Sequence, residues 1–405
     1  MSVEERLLRY VKVDTQSHPN ALTTPSTEKQ FDLAKLLVEE LKELGLKDVK
    51  LSEHCYVYAH LESNLDKPCK TVGFIAHMDT ATEYPGANVN PRVIRNYDGK
   101  DIELCEGVIT KVEDFPQMKE LVGHDLIVTD GSTLLGADDK AGIAAIMDMV
   151  EYYVKHPEVK HGRIAIGFTP DEEIGGGTKF FDYAYFDADY AYTLDGGEPN
   201  VYTDETFNAA SVVVKFEGLS IHPGSAKDRM INAANVAMEY HRLLPEYMRP
   251  EHTEGRDGFI HLIDMKGFTD FAQLEYIVRD HDSGKLEEKI QLMNRSKDFI
   301  NEMYGSGTCT LESSITYRNM KEIIDEHPSI SQMALDAIKE IGLNPYIEPA
   351  RGGTDGAQLS YNGLPCPNLG CGMGNVHGRY EYCSIQQMEQ ASQLLRIIIR
   401  KTMEE

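Results

Sequence analysis

Short, nearly continuous apolar runs alternate with apolar residues at helical spacing along most of this chain. The first eleven residues are charged and amphipathic and predict a helix. A second helix is predicted from Thr27, where Thr27 and Gln30 fit a capping box; Ala34, Leu37, Val38, Leu41 and Leu44 recur at helical spacing, and Gly45 is a stop signal. The run from Thr71 to Ala76 is almost wholly apolar, as suits a strand buried on both faces, and it ends in His77-Met78-Asp79. Residues 84–130 are rich in Gly, Asn, Pro and Asp and predict loops with short connecting strands, one of them at 125–129. A helix with small residues in its first turn follows Gly136-Ala137-Asp138-Asp139-Lys140-Ala141-Gly142. Then come a strand at 163–168, a helix around Phe180, and a strand at 190–194 that runs into Asp195-Gly196-Gly197.

From Phe207 the order changes to strand (208–217), helix (231–244), strand (258–266), strand (273–280), helix (284–303) and strand (308–317). The last part returns to a helix at 329–341, a glycine-rich segment Arg351-Gly352-Gly353-Thr354-Asp355-Gly356, a short strand near 368–370, and a closing helix at 385–402. The predicted fold is α/β, a mixed sheet with helices on both faces built from residues 1–206 and 319–405. An α+β domain of β-α-β-β-α-β order, residues 207–318, interrupts it.

Composition narrows the function. With 40 basic against 66 acidic residues the formal charge is -26, which excludes a nucleic-acid or anionic-membrane surface. No stretch reaches the length of an apolar membrane span. Seven scattered cysteines with no Cys-x-x-Cys pair read as free thiols in a reducing cytoplasm.

Five metal-ligating side chains share a type of position. His77, Glu173 and Asp195 each follow a predicted strand, Asp138 precedes a helix, and His377 lies in a late glycine-rich loop. In open α/β sheets ligands bind beyond the carboxyl ends of the strands, so the five can converge. Read singly, His77 is equally a hydrogen-bonded core histidine, Asp138 and Asp195 are caps, and His377 is a loop residue. Together they form a mixed imidazole and carboxylate set, which favours zinc, with cobalt or manganese able to substitute. Two divalent ions balance Asp138, Glu173, Asp195 and one hydroxide. Asp79, two residues after His77 and on the same side of an extended backbone, is placed to accept a hydrogen bond from the imidazole. On extended backbone Glu172 points away from Glu173, which leaves it to serve as general base.

The segments His77-Met78-Asp79, Gly136 to Gly142, Asp171-Glu172-Glu173-Ile174-Gly175, Asp195-Gly196-Gly197 and Arg351 to Gly356 resemble motifs of the two-zinc peptidases that include carboxypeptidase G and aminoacylase-1. Val89-Asn90-Pro91, Phe168 to Glu173, Phe207 to Ser211, His222-Pro223-Gly224 and Gly363 to Leu369 are similar to the tripeptide aminopeptidases of that family, and the likeness covers nearly the whole chain. The resemblance implies that His77 and Asp195 hold one zinc, Glu173 and His377 the other, and that Asp138 bridges them. It implies a cis peptide after Asp138, Glu172 as base and Asp79 as support. It also implies that the inserted domain is a lid whose His222 reaches the substrate carbonyl; without it, His222 in His-Pro-Gly is a turn residue. Arg279 and Arg351 are candidates for the carboxylate of a small peptide substrate, or surface ion pairs. Lids of this kind pair edge to edge, so a homodimer is compatible.

The function expected is removal of the N-terminal residue from tripeptides. A related two-zinc carboxypeptidase or N-acyl amino acid hydrolase would share every metal residue. A non-catalytic peptide-binding protein that keeps its metals would have no use for Glu172.

Overall fold

The apolar run before His77 forms the strand Val72–His77, buried along its whole length. It lies parallel between Ile164–Thr169 and Tyr190–Gly196, in the interior of the sheet, and its two faces are covered by two separate cores. Across the eight-stranded sheet the order is Val49–Leu51, Val57–Leu61, Ile164–Thr169, Val72–His77, Tyr190–Gly196, Asn368–Gly370, Val201–Thr203 and Tyr346–Ile347. Asn368–Gly370 continues the parallel set, whereas Val57–Leu61 and Val201–Thr203 pair antiparallel, so the sheet is mixed. The chain leaves Val72–His77 for one neighbour and later returns to the other. That reversal puts three strand carboxyl ends side by side, where such sheets bind ligands.

Side chains alternate between two cores with the period of two that a strand imposes. Val72, Phe74 and Ala76 join Ile164, Ile166, Phe168 and the helical residues on one face, while Ile75, Ala165 and Ala191 join Tyr56, Tyr58, Phe181 and Phe186 on the other. Helix Ala137–Lys155 lies on the first face. It approaches so closely that a Cβ on Gly142 would sit 2.3 Å from the carbonyl oxygen of Leu194. The first turn of that helix is irregular: Asp138 and Asp139 leave helical dihedrals, and the peptide between them is cis.

The computed structural model describes residues 1–404 and divides them into two compact units. The first unit holds Met1–Asp204, Glu322–Glu348 and the chain from Thr354 onward. The second holds Glu205–Lys321 together with Pro349–Gly353. Its strands Asn208–Glu217, Phe259–Gly267, Phe271–Asp280 and Cys309–Tyr317 and its helices Ala233–Leu243 and Ser283–Tyr304 follow β-α-β-β-α-β order. The sheet is antiparallel throughout, and Val212, Val214, Leu274, Tyr276 and Val278 form its core with Val236, Tyr240 and Met293 of the helices.

Two local expectations are corrected. The second helix spans Gln30–Glu43, not from Thr27, and its N-cap Lys29 makes no side-chain cap. Both capping partners serve tertiary contacts instead: the Thr27 hydroxyl donates to the Gln16 carbonyl, and the Gln30 amide donates to Asp171. The helix expected around Phe180 is the single turn Tyr183–Phe186, capped by Asp182, with Phe180 in the turn before it. An additional helix, Asp355–Tyr361, begins inside the glycine-rich segment, where the Thr354 hydroxyl accepts the Ala357 N–H. No helix of the described residues is long and apolar enough to cross a membrane, and none of the seven cysteines is disulfide-bonded.

Candidate metal centre

The site is assembled at the carboxyl ends of the parallel strands. His77 is the last residue of its strand, Asp195 lies near the end of Tyr190–Gly196, and Asp138 stands in the irregular first turn of the long helix. His377 lies in the loop between strands Met373–Gly374 and Tyr382–Ser384, which a small four-stranded sheet fixes against Leu126–Val128. The extended backbone expected for the two glutamates is replaced by a 3-10 turn, Glu172–Ile174, entered through Asp171 at φ 57°. They still diverge. Carboxylate and imidazole atoms of His77, Glu172 and Asp195 lie within 4.8 Å of one another, and so do those of His77, Asp138 and Glu173. His77 Nε2 is 3.0 Å from Asp138 and 3.7 Å from Asp195; His377 Nε2 is 3.1 Å from Glu173 and 3.4 Å from Asp138. Asp138 thus stands between the two histidines.

Asp79 is fully buried and serves two purposes. Both its main-chain oxygen, at 3.1 Å, and its carboxylate, at 3.4 Å, lie against His77 Nδ1, so backbone and side chain share the orienting of the imidazole. Its carboxylate accepts the N–H of Glu172 at 3.0 Å and of Glu173 at 3.2 Å, as well as the Ser17 hydroxyl. Asp171 accepts from the Ser26 amide and hydroxyl and from Gln30, and Asp355 accepts from the Thr169 hydroxyl at 2.8 Å. Gly177 must be glycine, because a Cβ there would lie 2.1 Å from the Asp355 carboxylate. Ser17, Ser26, Gln30, Asp171 and Asp355 therefore hold the turn that carries both glutamates. Asp171 and Asp355 carried a sequence signal by lying inside the acidic and glycine-rich segments, Gln30 carried one for a helix cap, and Ser17 and Ser26 carried none.

The electrostatics call for cations. Burial raises the pKa of Glu172 well above the usual carboxylate range and raises Asp195; it pushes Glu173 up to about 7. Hydrogen bonds to Asp138 and Glu173 push His377 up to about 11, and His77 is raised because its bonds to Asp138, Asp195 and Asp79 outweigh its burial. Burial works against ionisation of Asp138, yet its bonds to the two histidines bring its pKa down. One buried oxygen, Glu173 Oε1, has no hydrogen-bond partner. Three ligand carboxylates, a fourth at Glu172 and two imidazoles fit two divalent ions of the zinc type.

The remaining predicted residues belong to the second unit. His222 is exposed at the start of the Pro223–Ser225 turn, where its Nδ1 accepts the Gly224 N–H at 3.1 Å. The Arg279 guanidinium lies 5.1 Å from the centre of the Tyr317 ring, and its burial lowers its pKa. Among the described residues Arg351 forms no ion pair. It donates to the carbonyl oxygens of Gly255 and Asp257 and to the Thr253 hydroxyl, and lies over Phe207.

The model of peptidase family M20/M25/M40 matches residues 127–401. Peptidase T of Bacillus licheniformis is 48% identical over 398 residues, 98% of this chain and 97% of that relative. Peptidase T of Alkaliphilus oremlandii is 50% identical over 399 residues, 98% of each chain. In fold, the chain is similar to an aminopeptidase from Bacillus cereus, with a TM-score of 0.78 at 23% identity over 99% of this chain and 98% of that one. It is likewise similar to a tripeptidase from Staphylococcus aureus, with a TM-score of 0.79 at 22% identity over 100% and 98%. By sequence and by fold, the chain belongs to peptidase family M20/M25/M40 and is a metallopeptidase.

Proposed function

We propose that this metallopeptidase is a two-zinc aminopeptidase that removes the N-terminal residue of tripeptides in the cytoplasm. The observation that carries the reading is the convergence of His77, Asp138, Glu172, Glu173, Asp195 and His377 at the ends of the parallel strands. The peptidase T relatives and the names of the aminopeptidase and tripeptidase neighbours support the direction and size of the substrate. Cysteines without disulfides agree with the cytoplasm.

In this reading His77 and Asp195 would hold one zinc ion, Glu173 and His377 would hold the other, and Asp138 would serve both; cobalt or manganese could substitute. Bound ions supply Lewis acidity, which polarises the scissile carbonyl and eases deprotonation of a water. Glu172 takes the water's proton on a carboxylate oxygen and delivers it to the leaving amine nitrogen. Asp79 keeps Glu172 and Glu173 in register by holding both of their N–H groups. His222 donates to the carbonyl oxygen as negative charge grows there. Arg279 and Arg351 are the cations assigned to the peptide carboxylate; Arg351 donates to the 253–257 loop, and Arg279 donates to the Val278 carbonyl and lies over Tyr317.

Three peptides test the reading: a free tripeptide, its N-acetylated form and its C-terminal amide. The free tripeptide is expected to release its first residue, and the N-acetylated form to resist. Hydrolysis of the acetylated peptide, or release of the C-terminal residue first, would replace this function with an N-acyl hydrolase or a carboxypeptidase. Failure of all three would contradict catalysis.

A further inference from the structure

Four residues after His377, on the same loop, the side chain of Glu381 turns inward and is 1% exposed. No lysine or arginine hydrogen-bonds to it among the described residues. Its carboxylate accepts three main-chain N–H groups instead: Leu135 at 2.7 Å and Gly136 at 2.8 Å on Oε2, and Asp138 at 3.0 Å on Oε1. Those three amides belong to the segment that presents Asp138. One carboxylate therefore ties the loop of His377 to the loop of Asp138, which no other bond to Asp138 does through the backbone.

We infer that Glu381 is a positioning residue that sets Asp138 and His377 at the separation one metal ion requires; the inference rests on the two-metal reading above. His77 depends on it only through Asp138. The imidazole of His77 is held by Asp79, and the main-chain N–H of His77 donates to Asp139 at 3.2 Å. His377 has no such frame: its side chain is 40% exposed, and its Nδ1 meets only Glu83 at 3.4 Å. Loss of Glu381 falls hardest on the ion shared by Glu173 and His377, which loses the placement of both Asp138 and His377, and less on the ion of His77 and Asp195, which shares only Asp138.

Glutamine at this position keeps the shape but has one accepting oxygen, so an amide group must face either the Asp138 N–H or the pair from Leu135 and Gly136. Alanine leaves all three donors without a partner. The test is calorimetric titration of metal-free protein with Zn²⁺, for wild type, Glu381→Gln and Glu381→Ala, alongside the melting temperature of each metal-free protein. The wild type is expected to take up two equivalents. In Glu381→Gln one equivalent should weaken by about 10- to 100-fold, as for other groups that orient metal ligands, while the other, which shares only Asp138 with it, weakens clearly less. Glu381→Ala should weaken the same equivalent further. Unchanged affinities in both variants overturn the inference, and so does equal weakening of both equivalents in step with a lower metal-free melting temperature, which marks a general structural role. A wild type that binds no zinc overturns the two-metal reading and this inference with it, so the two failures are distinguishable.

Discussion

Glu172 and Glu173 are neighbours in the chain, but the turn they share sends them to different partners, Glu172 to the side of Asp195 and Glu173 to Asp138 and His377. If the first moves protons and the second holds metal, their amides separate the two roles. Glu172→Gln should keep two metals and lose about 10²- to 10⁴-fold in turnover, the usual effect of removing a general base. Glu173→Gln should lose one metal. Elemental analysis of the two purified variants checks this, and a Glu172→Gln protein that loses metal while Glu173→Gln keeps both would reverse the assignment. The candidate ligands were singled out in the sequence by position: His77, Glu173 and Asp195 follow predicted strands, Asp138 precedes a helix and His377 lies in a glycine-rich loop. Those that hold them were not. That Ser17 meets Asp79, or Ser26 meets Asp171, depends on the path of the N-terminal segment through space, and serine at a loop position carries no local signal of it.

The helices and strands were legible wherever burial imposes a period. The closing helix at 385–402 and the strands Asn208–Glu217 and Phe271–Asp280 of the inserted unit follow apolar spacing that survives in the fold. Where a polar residue could serve either a cap or a distant partner, local reasoning failed: Thr27 and Gln30 have the spacing of a capping box, and tertiary hydrogen bonds take them both. The helix at 355–361 escaped notice because glycine on either side of Thr354-Asp355 reads as loop. The docking of helix Val3–Tyr10 was equally hidden, since it depends on buried Arg6, which reaches Glu40 at 2.6 Å and Glu151 at 2.7 Å. Burial opposes ionisation of Glu151, but hydrogen bonds from Lys155, the N-terminal amine and Arg6 outweigh it and bring its pKa down to about 2. A carboxylate whose pKa is lowered by folding stabilises above its unfolded pKa, near 4.5, and that contribution is lost as pH falls toward 2. Glu151→Gln should therefore destabilise the protein at pH 7 by about 1 to 3 kcal/mol, with a clearly smaller effect at pH 3. Urea unfolding at the two pH values measures both numbers, and an equal loss at each would contradict the ion-pair account.

Taken as one molecule, the chain shows why an interrupted sequence order can still be read. The order of strands and helices changes near residue 207 and changes back near residue 318, because an inserted sheet brings its own apolar period with it. What the order could not show is that Pro349–Gly353, well past the insertion, packs with the second unit; Gly353 leaves room for Tyr317, whose ring would be 2.8 Å from a Cβ there. The first unit gathers at least six acidic and imidazole groups at one end of its sheet within a chain of formal charge -26, and ions that neutralise them should stabilise the fold as well as allow turnover. The measurement that bears most directly on all of this is the metal content of the purified chain, followed by turnover during chelation and reloading. The account predicts two divalent ions per chain, turnover that falls as they are withdrawn, and recovery when zinc is returned. A chain stripped of metal that still cleaves its peptide at the full rate would contradict it.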